Sequence, residues 1–263
     1  MLGSMLGRLY RKLMGKLFGV EALVEESVAR ELEARMPAMM RSEIAALLQG
    51  GEGPRLMLDV EKVANILASV SSAQYFLKNM LLAENLPDRE TLLRFAMGQC
   101  SVDGLVLECG VYAGRSLRVI ADCEAGPVYG FDSFQGLPED WTRTQRKGRF
   151  DLEGKIPKFN ESNIQLVPGW FDQTLPAFLF KHAGPVRFLH VDCDLYSSAA
   201  TVFAHLGSRM VSGTVIVFDE YFNYPGWEQN EFRAFQEYVT SAGVKYAYLG
   251  FASSYPSVAV KLT

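Results

Sequence analysis

The sequence lacks a long hydrophobic run, an excess of positive charge and any paired-cysteine motif. No segment of the 263 residues approaches the ~18 consecutive apolar residues of a membrane-spanning helix. The start of the chain has neither the compact apolar core nor the cleavage site of a signal peptide. A net charge of −4 provides no basic field for nucleic acid, and the four cysteines show no CxxC or zinc spacing. We therefore expect a cytoplasmic protein that has no nucleic-acid partner.

Several familiar catalytic signatures are also absent. The chain has no GxSxG segment, no Walker lysine loop and no complete GxGxxG fingerprint. Its three histidines show no metal-ligand spacing with one another. His190 is expected to be a hydrogen-bonding residue near a site, with proton transfer as the alternative.

The first residues form a basic amphipathic segment. Leucines, methionines and a valine recur at helical spacing over residues 1–20, and all of the segment's charges come from arginine and lysine. Such a helix could pack on the rest of the chain or on a second subunit, which predicts a homo-oligomer. The alternative is peripheral contact with an anionic membrane surface. A glycine-rich stretch that ends at Pro54 predicts a boundary between a helical extension, residues 1–54, and a main domain, residues 55–263.

From Gly104 onward, short β-prone runs alternate with helical patterns. This alternation is typical of right-handed crossovers and a parallel sheet, so we expect a three-layer α/β fold with a mostly parallel, seven-stranded sheet. The last two strands have no helix between them and are expected to be antiparallel at the sheet edge. The predicted strands are Leu105–Cys109, Val128–Asp132, Ile164–Pro168, Val186–Asp192, Thr214–Asp219, Tyr246–Gly250 and Val258–Leu262.

Two acidic segments end two of these strands. Asp192 and Asp194 flank a cysteine, and Asp219 is followed directly by Glu220. Strand ends of a parallel sheet meet at the edge where α/β folds bind ligands, and clustered carboxylates repel one another unless a cation or a proton neutralises them. Hard oxygen ligands suit Mg²⁺ or Ca²⁺, and one carboxylate could remain free as a general base. The alternative is a set of helix N-caps and loop salt bridges.

A glycine turn follows the first predicted strand, and an acidic residue ends the second. Gly110 and Gly114 permit a tight turn, and the helix that begins behind them offers free N–H groups to an anion. Glu108 could accept a hydrogen bond from a ligand ammonium or hydroxyl group. Asp132 stands where an acid often binds two ribose hydroxyls, which implies an adenosine-type cofactor. The turn could instead be a structural loop, and Asp132 could cap the loop that follows it.

Two aromatic residues follow the third predicted strand. Trp170 and Phe171 could stack on a flat base, and packing in the core is an equal alternative.

Segment 141–160, which precedes these residues in the chain, carries several arginines and lysines. The segment could form a lid over the site or a solvated loop.

On these residues the chain resembles the class I S-adenosylmethionine-dependent methyltransferases, and more narrowly the macrocin-type sugar O-methyltransferases of antibiotic pathways. The resemblance implies a Rossmann-like methyltransferase fold and an O-methyltransferase that acts on a hydroxyl of a sugar or another small molecule. The resembling segments are 107–112, 131–138, 169–176, 190–196 and 213–221.

The resemblance also implies roles for individual residues. The methionine moiety would lie against the segment from Glu108 to Ser116, which includes Gly110, Val111, Tyr112 and Gly114. Asp132, with Ser133 beside it, would bind the ribose, and Trp170 with Phe171 would border the adenine. Asp192, Asp219 and Glu220 match the metal ligands, and Asp194 matches the proposed general base. The family usually has an aspartate where this chain has Glu220.

Two other classes of function remain open at this point. One is a nicotinamide-dependent oxidoreductase on a similar sheet, which the incomplete glycine fingerprint disfavours. The other is a non-catalytic scaffold whose N-terminal helices assemble subunits or touch a membrane.

Overall fold

A sheet of eight strands organises the part of the chain that the structure describes. The structure is a computed structural model, and it describes residues 59–153 and 155–263, of which residues 60–263 form one unit. The helices are α1 Val60–Asn79, α2 Arg89–Met97, α3 Arg115–Asp122, α4 Phe171–Lys181, α5 Tyr196–Leu206 and α6 Glu231–Ala242. The strands are β1 Glu84–Leu86, β2 Leu105–Cys109, β3 Val128–Asp132, β4 Ile164–Pro168, β5 Val186–Val191, β6 Met210–Phe218, β7 Tyr246–Ala252 and β8 Val258–Leu262.

The strand order is β1-β7-β8-β6-β5-β2-β3-β4. The strand β8 runs antiparallel to both of its neighbours, whereas the other described pairs are parallel. The chain proceeds outward from β2 to β4 on one side and from β5 to β6 on the other. This reversal leaves a crevice at the carboxyl ends of β2 and β5, where open α/β sheets bind ligands.

Each face of the sheet is covered by apolar side chains of helices. Phe178 of α4, Phe203 of α5 and Phe235 of α6 belong to the buried cluster that contains Leu189. Leu92 of α2 and Leu117 of α3 belong to a second cluster, which includes Phe188 and Val217. Since neighbouring strand residues point to opposite faces, Leu189 and Phe188 assign the two clusters to the two sides of the sheet. The predicted three-layer α/β class is confirmed.

The seven predicted strands are all present, and the eighth, β1, was not predicted. Its three residues pair in parallel with β7, so β7 is not the edge strand. The predicted antiparallel pairing of the last two strands is confirmed. Asp88 caps α2 as a helix N-cap should, because its Oδ1 accepts a hydrogen bond from Thr91 N at 2.8 Å.

The predicted features of the first residues lie outside the described part of the chain. These features are the amphipathic segment at residues 1–20 and the boundary after residue 54. Within residues 59–153 and 155–263, no helix combines the length and the apolar character needed to cross a membrane.

Candidate functional site

The loops after β2 and β5 touch through their backbones. Gly110 has φ +96°, and a Cβ atom placed on it would lie 1.6 Å from the carbonyl oxygen of Asp192. The N–H of Asp192 in turn donates to the carbonyl of Cys109 at 2.9 Å. Only glycine permits this approach. The glycine turn therefore joins the crevice to the first acidic segment.

Asp132 holds the glycine turn through backbone hydrogen bonds. Its Oδ2 accepts from the N–H groups of Val111 and Tyr112, both at 2.8 Å. Its Oδ1 accepts from Phe134 N at 2.6 Å. The expected alternative of a loop-capping role is therefore present in the structure. Because a carboxylate has about four lone-pair sites, acceptor capacity remains for ligand hydroxyls.

Glu108 lies beneath the turn and is fully buried. It stands beside His190 across the β2–β5 ladder, and its Oε1 is 2.8 Å from His190 Nδ1. Burial raises the pKa of Glu108, and the hydrogen bond with His190 partly opposes this rise. Glu108 Oε2 and His190 Nε2 are buried atoms that have no hydrogen-bond partner among the described residues. Such orphan atoms call for a ligand or a further partner.

The second glycine of the turn is also required by its surroundings. Gly114 has φ +75°, and a Cβ atom there would lie 2.3 Å from Cζ of Phe159. Tyr112 has φ +48° and packs edge-on against Phe150. Ser133, beside Asp132, accepts a hydrogen bond from Gln135 N at 3.1 Å. The predicted cofactor residues of β2, β3 and their loops thus lie in one continuous wall.

The two aromatic residues after β4, Trp170 and Phe171, have different surroundings in the structure. Phe171 packs against the hydrophobic core, as the core alternative expected. Trp170 stands at the N-cap of α4 and is partly buried.

The acidic residues after β5 and β6 converge around Asp192. Its carboxylate shares one group of possible ligand atoms with His190 and Asp219, and another with Asp194 and Glu220. Within each group the atoms lie within 4.8 Å of one another. Asp194 has φ +63°, a left-handed conformation that aspartate tolerates better than most residues. The chain therefore turns at the end of β5, and the carboxylates of Asp192 and Asp194 both approach that of Glu220.

Asp219 has an internal cationic partner. Its Oδ2 accepts from Arg89 Nη1 at 2.9 Å, and its Oδ1 from Ser257 Oγ at 3.1 Å. Arg89 is the first residue of α2. The expected loop salt bridge thus exists for this one carboxylate, and Asp219 is already partly neutralised.

The other carboxylates are crowded in a buried environment. Burial, followed by the charges of Asp219 and Asp132, raises the pKa of Asp194 to about 7. Burial and neighbouring carboxylates also raise the pKa of Asp192 and of Glu220 well above their ordinary values. In the part of the chain that the structure describes, Glu220 Oε2 has no hydrogen-bond partner. These residues favour a proton or a cation.

A fifth carboxylate, Glu231, was not predicted as a site residue. It opens α6 and is fully buried. An acidic residue in the first turn of a helix usually indicates an exposed interaction with the helix dipole. Glu231 instead contacts segments that precede it in the chain. Because only the fold brings them together, no local sequence pattern indicates these contacts.

Aromatic side chains from two loops flank the acidic cluster. Trp141 contacts Tyr224 edge to face, with ring centroids 6.0 Å apart. The hydroxyl of Tyr224 donates to the carbonyl of Glu220 at 3.3 Å. Trp141 is therefore linked to the second acidic segment through Tyr224.

Known protein families include one that resembles the central part of this chain. Residues 107–221 match the family described as a methyltransferase domain. The match begins within β2 and ends just beyond Glu220, so it includes both the glycine turn and the two acidic segments.

Two curated relatives that match this chain come from Streptomyces. The 8-demethyl-8-(2,3-dimethoxy-alpha-L-rhamnosyl)-tetracenomycin-C 4'-O-methyltransferase of Streptomyces olivaceus is 29% identical over 46% of this chain and 54% of the relative. The demethyldecarbamoylnovobiocin O-methyltransferase of Streptomyces niveus is 26% identical over 51% of this chain and 60% of the relative. The chain therefore spans little more than half the length of the curated relatives it matches.

Solved structures share the fold of this chain. The O-methyltransferase NovP superposes with a TM-score of 0.53 at 21% identity, covering 66% of this chain and 78% of that one. The calicheamicin methyltransferase CalS11 gives a TM-score of 0.50 at 17% identity, covering 91% and 94%. The predicted resemblance to the methyltransferases and the predicted Rossmann-like fold are confirmed. The cofactor, the metal and the role of each site residue stay predictions.

Proposed function

We propose that this chain is an S-adenosylmethionine-dependent O-methyltransferase that acts on a hydroxyl of a sugar or another small molecule. The observation that carries the proposal is the extent of the methyltransferase match. It spans residues 107–221 and includes the glycine turn and both acidic segments, which meet at one sheet edge. The sugar acceptor is supported by the names of relatives, one of which acts on a rhamnosyl group.

The proposed cofactor site is the wall formed by the loops after β2 and β3. S-Adenosylmethionine supplies the methyl group when bound. The turn from Glu108 to Ser116 would receive its methionine moiety, Asp132 would accept from the ribose hydroxyls, and Trp170 would border the adenine. Glu108 Oε2 is the buried acceptor best suited to a cationic or hydroxyl donor, because it has no partner within the described chain.

The donor set around Asp192 fits a divalent cation such as Mg²⁺. Carboxylate oxygens are the ligands that Mg²⁺ prefers, and the raised pKa values of Asp192 and Glu220 indicate that negative charge there lacks compensation. Asp192, Asp219 and Glu220 would hold the ion, with Asp219 shared with Arg89. A bound cation would supply Lewis-acid polarisation of acceptor oxygens.

Asp194 is the proposed general base. Its pKa of about 7 lies near the operating pH, where a base can both be ionised and take a proton. The carboxylate would take the proton that the acceptor hydroxyl loses when it is methylated. Trp141 and Tyr224, at the rim of the acidic cluster, would exclude water from the acceptor.

The remaining predictions belong to the same proposal. Residues 55–263 would be the catalytic domain and residues 1–54 a helical extension. That extension would serve homo-oligomerisation or peripheral membrane contact.

Calorimetry tests the cofactor, and a turnover assay tests the reaction. We expect S-adenosylhomocysteine to bind and NAD⁺ not to bind. Incubation of S-adenosylmethionine with a panel of glycosides and phenols, with Mg²⁺ or with chelator, should give S-adenosylhomocysteine together with a methylated hydroxyl. Binding of NAD⁺ instead would favour the oxidoreductase alternative, and absence of binding to either would favour the scaffold.

A further inference from the structure

Glu231 connects the two acidic segments through their backbones. Its Oε1 accepts from the N–H groups of Cys193 and Asp194 at 3.1 and 3.2 Å. Its Oε2 accepts from Glu220 N at 3.3 Å. One buried carboxylate from α6 therefore binds a loop that follows β5 and a loop that follows β6.

The contacts of Glu231 are suited to fixing a distance. A carboxylate is rigid and planar, so its two oxygens hold their donors at a set separation, and each oxygen has two lone-pair sites. Backbone donors cannot rotate away as side chains can. The carboxylates of Asp194 and Glu220, whose own N–H groups are held in this way, converge with that of Asp192 within 4.8 Å.

Holding this arrangement has a cost that something in the fold must offset. Asp194 is in the left-handed region, and three acidic side chains lie in a buried environment that disfavours their charge. Without an external restraint, the two loops could separate and relieve both strains. The hydrogen bonds to Glu231 oppose that separation.

We propose that Glu231 is a positioning residue that clamps the Asp194 and Glu220 segments together so that their carboxylates face one ligand. This inference rests on the proposed function, because it gives the clamped carboxylates their role in cation binding and proton transfer. Glu231 itself binds the backbone and does not contact the acceptor.

The substitution Glu231→Gln tests the clamp with almost no change in shape. A glutamine has one acceptor oxygen and one amide nitrogen, which is a donor. The oxygen can serve one segment, whereas the nitrogen would face the N–H of the other and cannot accept from it. One of the two segments must therefore lose its partner. The matched control is Glu228→Gln, because Glu228 is exposed in the segment just before α6.

Amide hydrogen exchange of the full chain measures the clamp directly. In Glu231→Gln, peptides that contain Cys193–Asp194 or Glu220 should exchange roughly ten-fold faster or more, while peptides of β7 stay unchanged, since an unprotected amide opens locally. Glu228→Gln should match the wild type. If Glu231→Gln does not fold, Glu231→Asp replaces it, because its shorter side chain can reach one segment but not both. Unchanged exchange in both segments overturns the proposal.

Two binding measurements separate the clamp from the proposed function. Mn²⁺ affinity should fall roughly ten-fold or more in Glu231→Gln, since loss of a residue that orients metal ligands typically costs 10–100-fold. S-Adenosylhomocysteine affinity should stay within about two-fold, because Asp132 and the glycine turn do not touch Glu231. Unchanged Mn²⁺ affinity overturns the positioning role. A wild type that binds neither molecule overturns the proposed function, and hydrogen exchange then decides the clamp alone.

Discussion

The two halves of the site differ in how their carboxylates are satisfied. On the β3 side, the two oxygens of Asp132 accept three backbone N–H groups. On the β5–β6 side, Asp192, Asp194 and Glu220 have raised pKa values, and Glu220 Oε2 has no partner among the described residues. Asp132 is therefore satisfied by the chain's own backbone, whereas the carboxylates of the second half still require a proton or a cation.

The difference indicates what each half contributes to catalysis. A turn that Asp132 already holds needs no reorganisation when a ligand arrives, so binding there is preorganised. Carboxylates that repel one another gain stability only when the ligand brings positive charge or a proton. Changes to the first half should therefore affect cofactor affinity, and changes to the second should affect turnover.

The largest expected effect is that of Asp194→Asn on turnover. Loss of a general base typically lowers the rate ~10²–10⁴-fold, and asparagine cannot accept the proton. The affinity for S-adenosylhomocysteine should stay nearly the same, because Asp194 belongs to the acidic half. Turnover is measured as S-adenosylhomocysteine formed with a methylated acceptor, and affinity by calorimetry.

A surface substitution controls for the loss of a charge. Asp172→Asn changes an exposed aspartate in the first turn of α4 and should leave turnover unchanged. If Asp194→Asn were as active as this control, Asp194 would have no part in proton transfer.

The opposite result is expected from Asp132→Asn. The amide nitrogen would face backbone donors in place of an accepting oxygen, which removes at least one charge-assisted hydrogen bond worth about 1.5–3 kcal/mol. The affinity for S-adenosylhomocysteine should fall about ten- to one-hundred-fold, and turnover at saturating cofactor should fall much less. Equal affinity in calorimetry would remove Asp132 from the cofactor site and leave it a structural role.

A smaller loss of affinity is expected from Gly114→Ala. Its Cβ would meet Phe159, and its left-handed conformation costs alanine roughly 1–2 kcal/mol. Gly148→Ala is the matched control, because Gly148 has φ +79° and nothing within 4 Å of the added atom. Both variants should unfold at lower temperature, but only Gly114→Ala should bind S-adenosylhomocysteine more weakly, by several-fold. Equal affinity in the two variants would exclude the turn from the binding surface.

The same contrast explains what could be predicted from the sequence. Asp132, Gly110 and the acidic strand ends were found because each lies next to a strand or turn that the local pattern reveals. The strand β1 was missed because its three residues carry too short a pattern and pair with β7, which lies far along the chain.

Local sequence patterns do not indicate residues that become partners only when the chain folds. Arg89 and Glu231 each look like ordinary first-turn helix residues. Their contacts with Asp219 and Glu220 depend on how α2 and α6 dock on the sheet. Long-range packing, and not local propensity, decides whether such a charge is exposed or belongs to a site.

The smallest expected effect is the dependence of stability on pH. An ordinary aspartate has a pKa near ~3.9, whereas burial raises that of Asp194 to about 7. Between these values the folded protein keeps a proton that the unfolded chain has released, so stability decreases as pH rises through this window. The raised pKa values of Asp192 and Glu220 act in the same direction. The lowered pKa values of Asp88 and Glu237 place the titration of these two groups below this pH window.

Without divalent cations, the melting temperature should fall by a few degrees from pH 5.5 to 8. Mg²⁺ should restore it at pH 8, and Asp194→Asn should flatten the slope. A melting temperature that rises with pH would show that the acidic half is already neutralised within the chain, as the β3 half is.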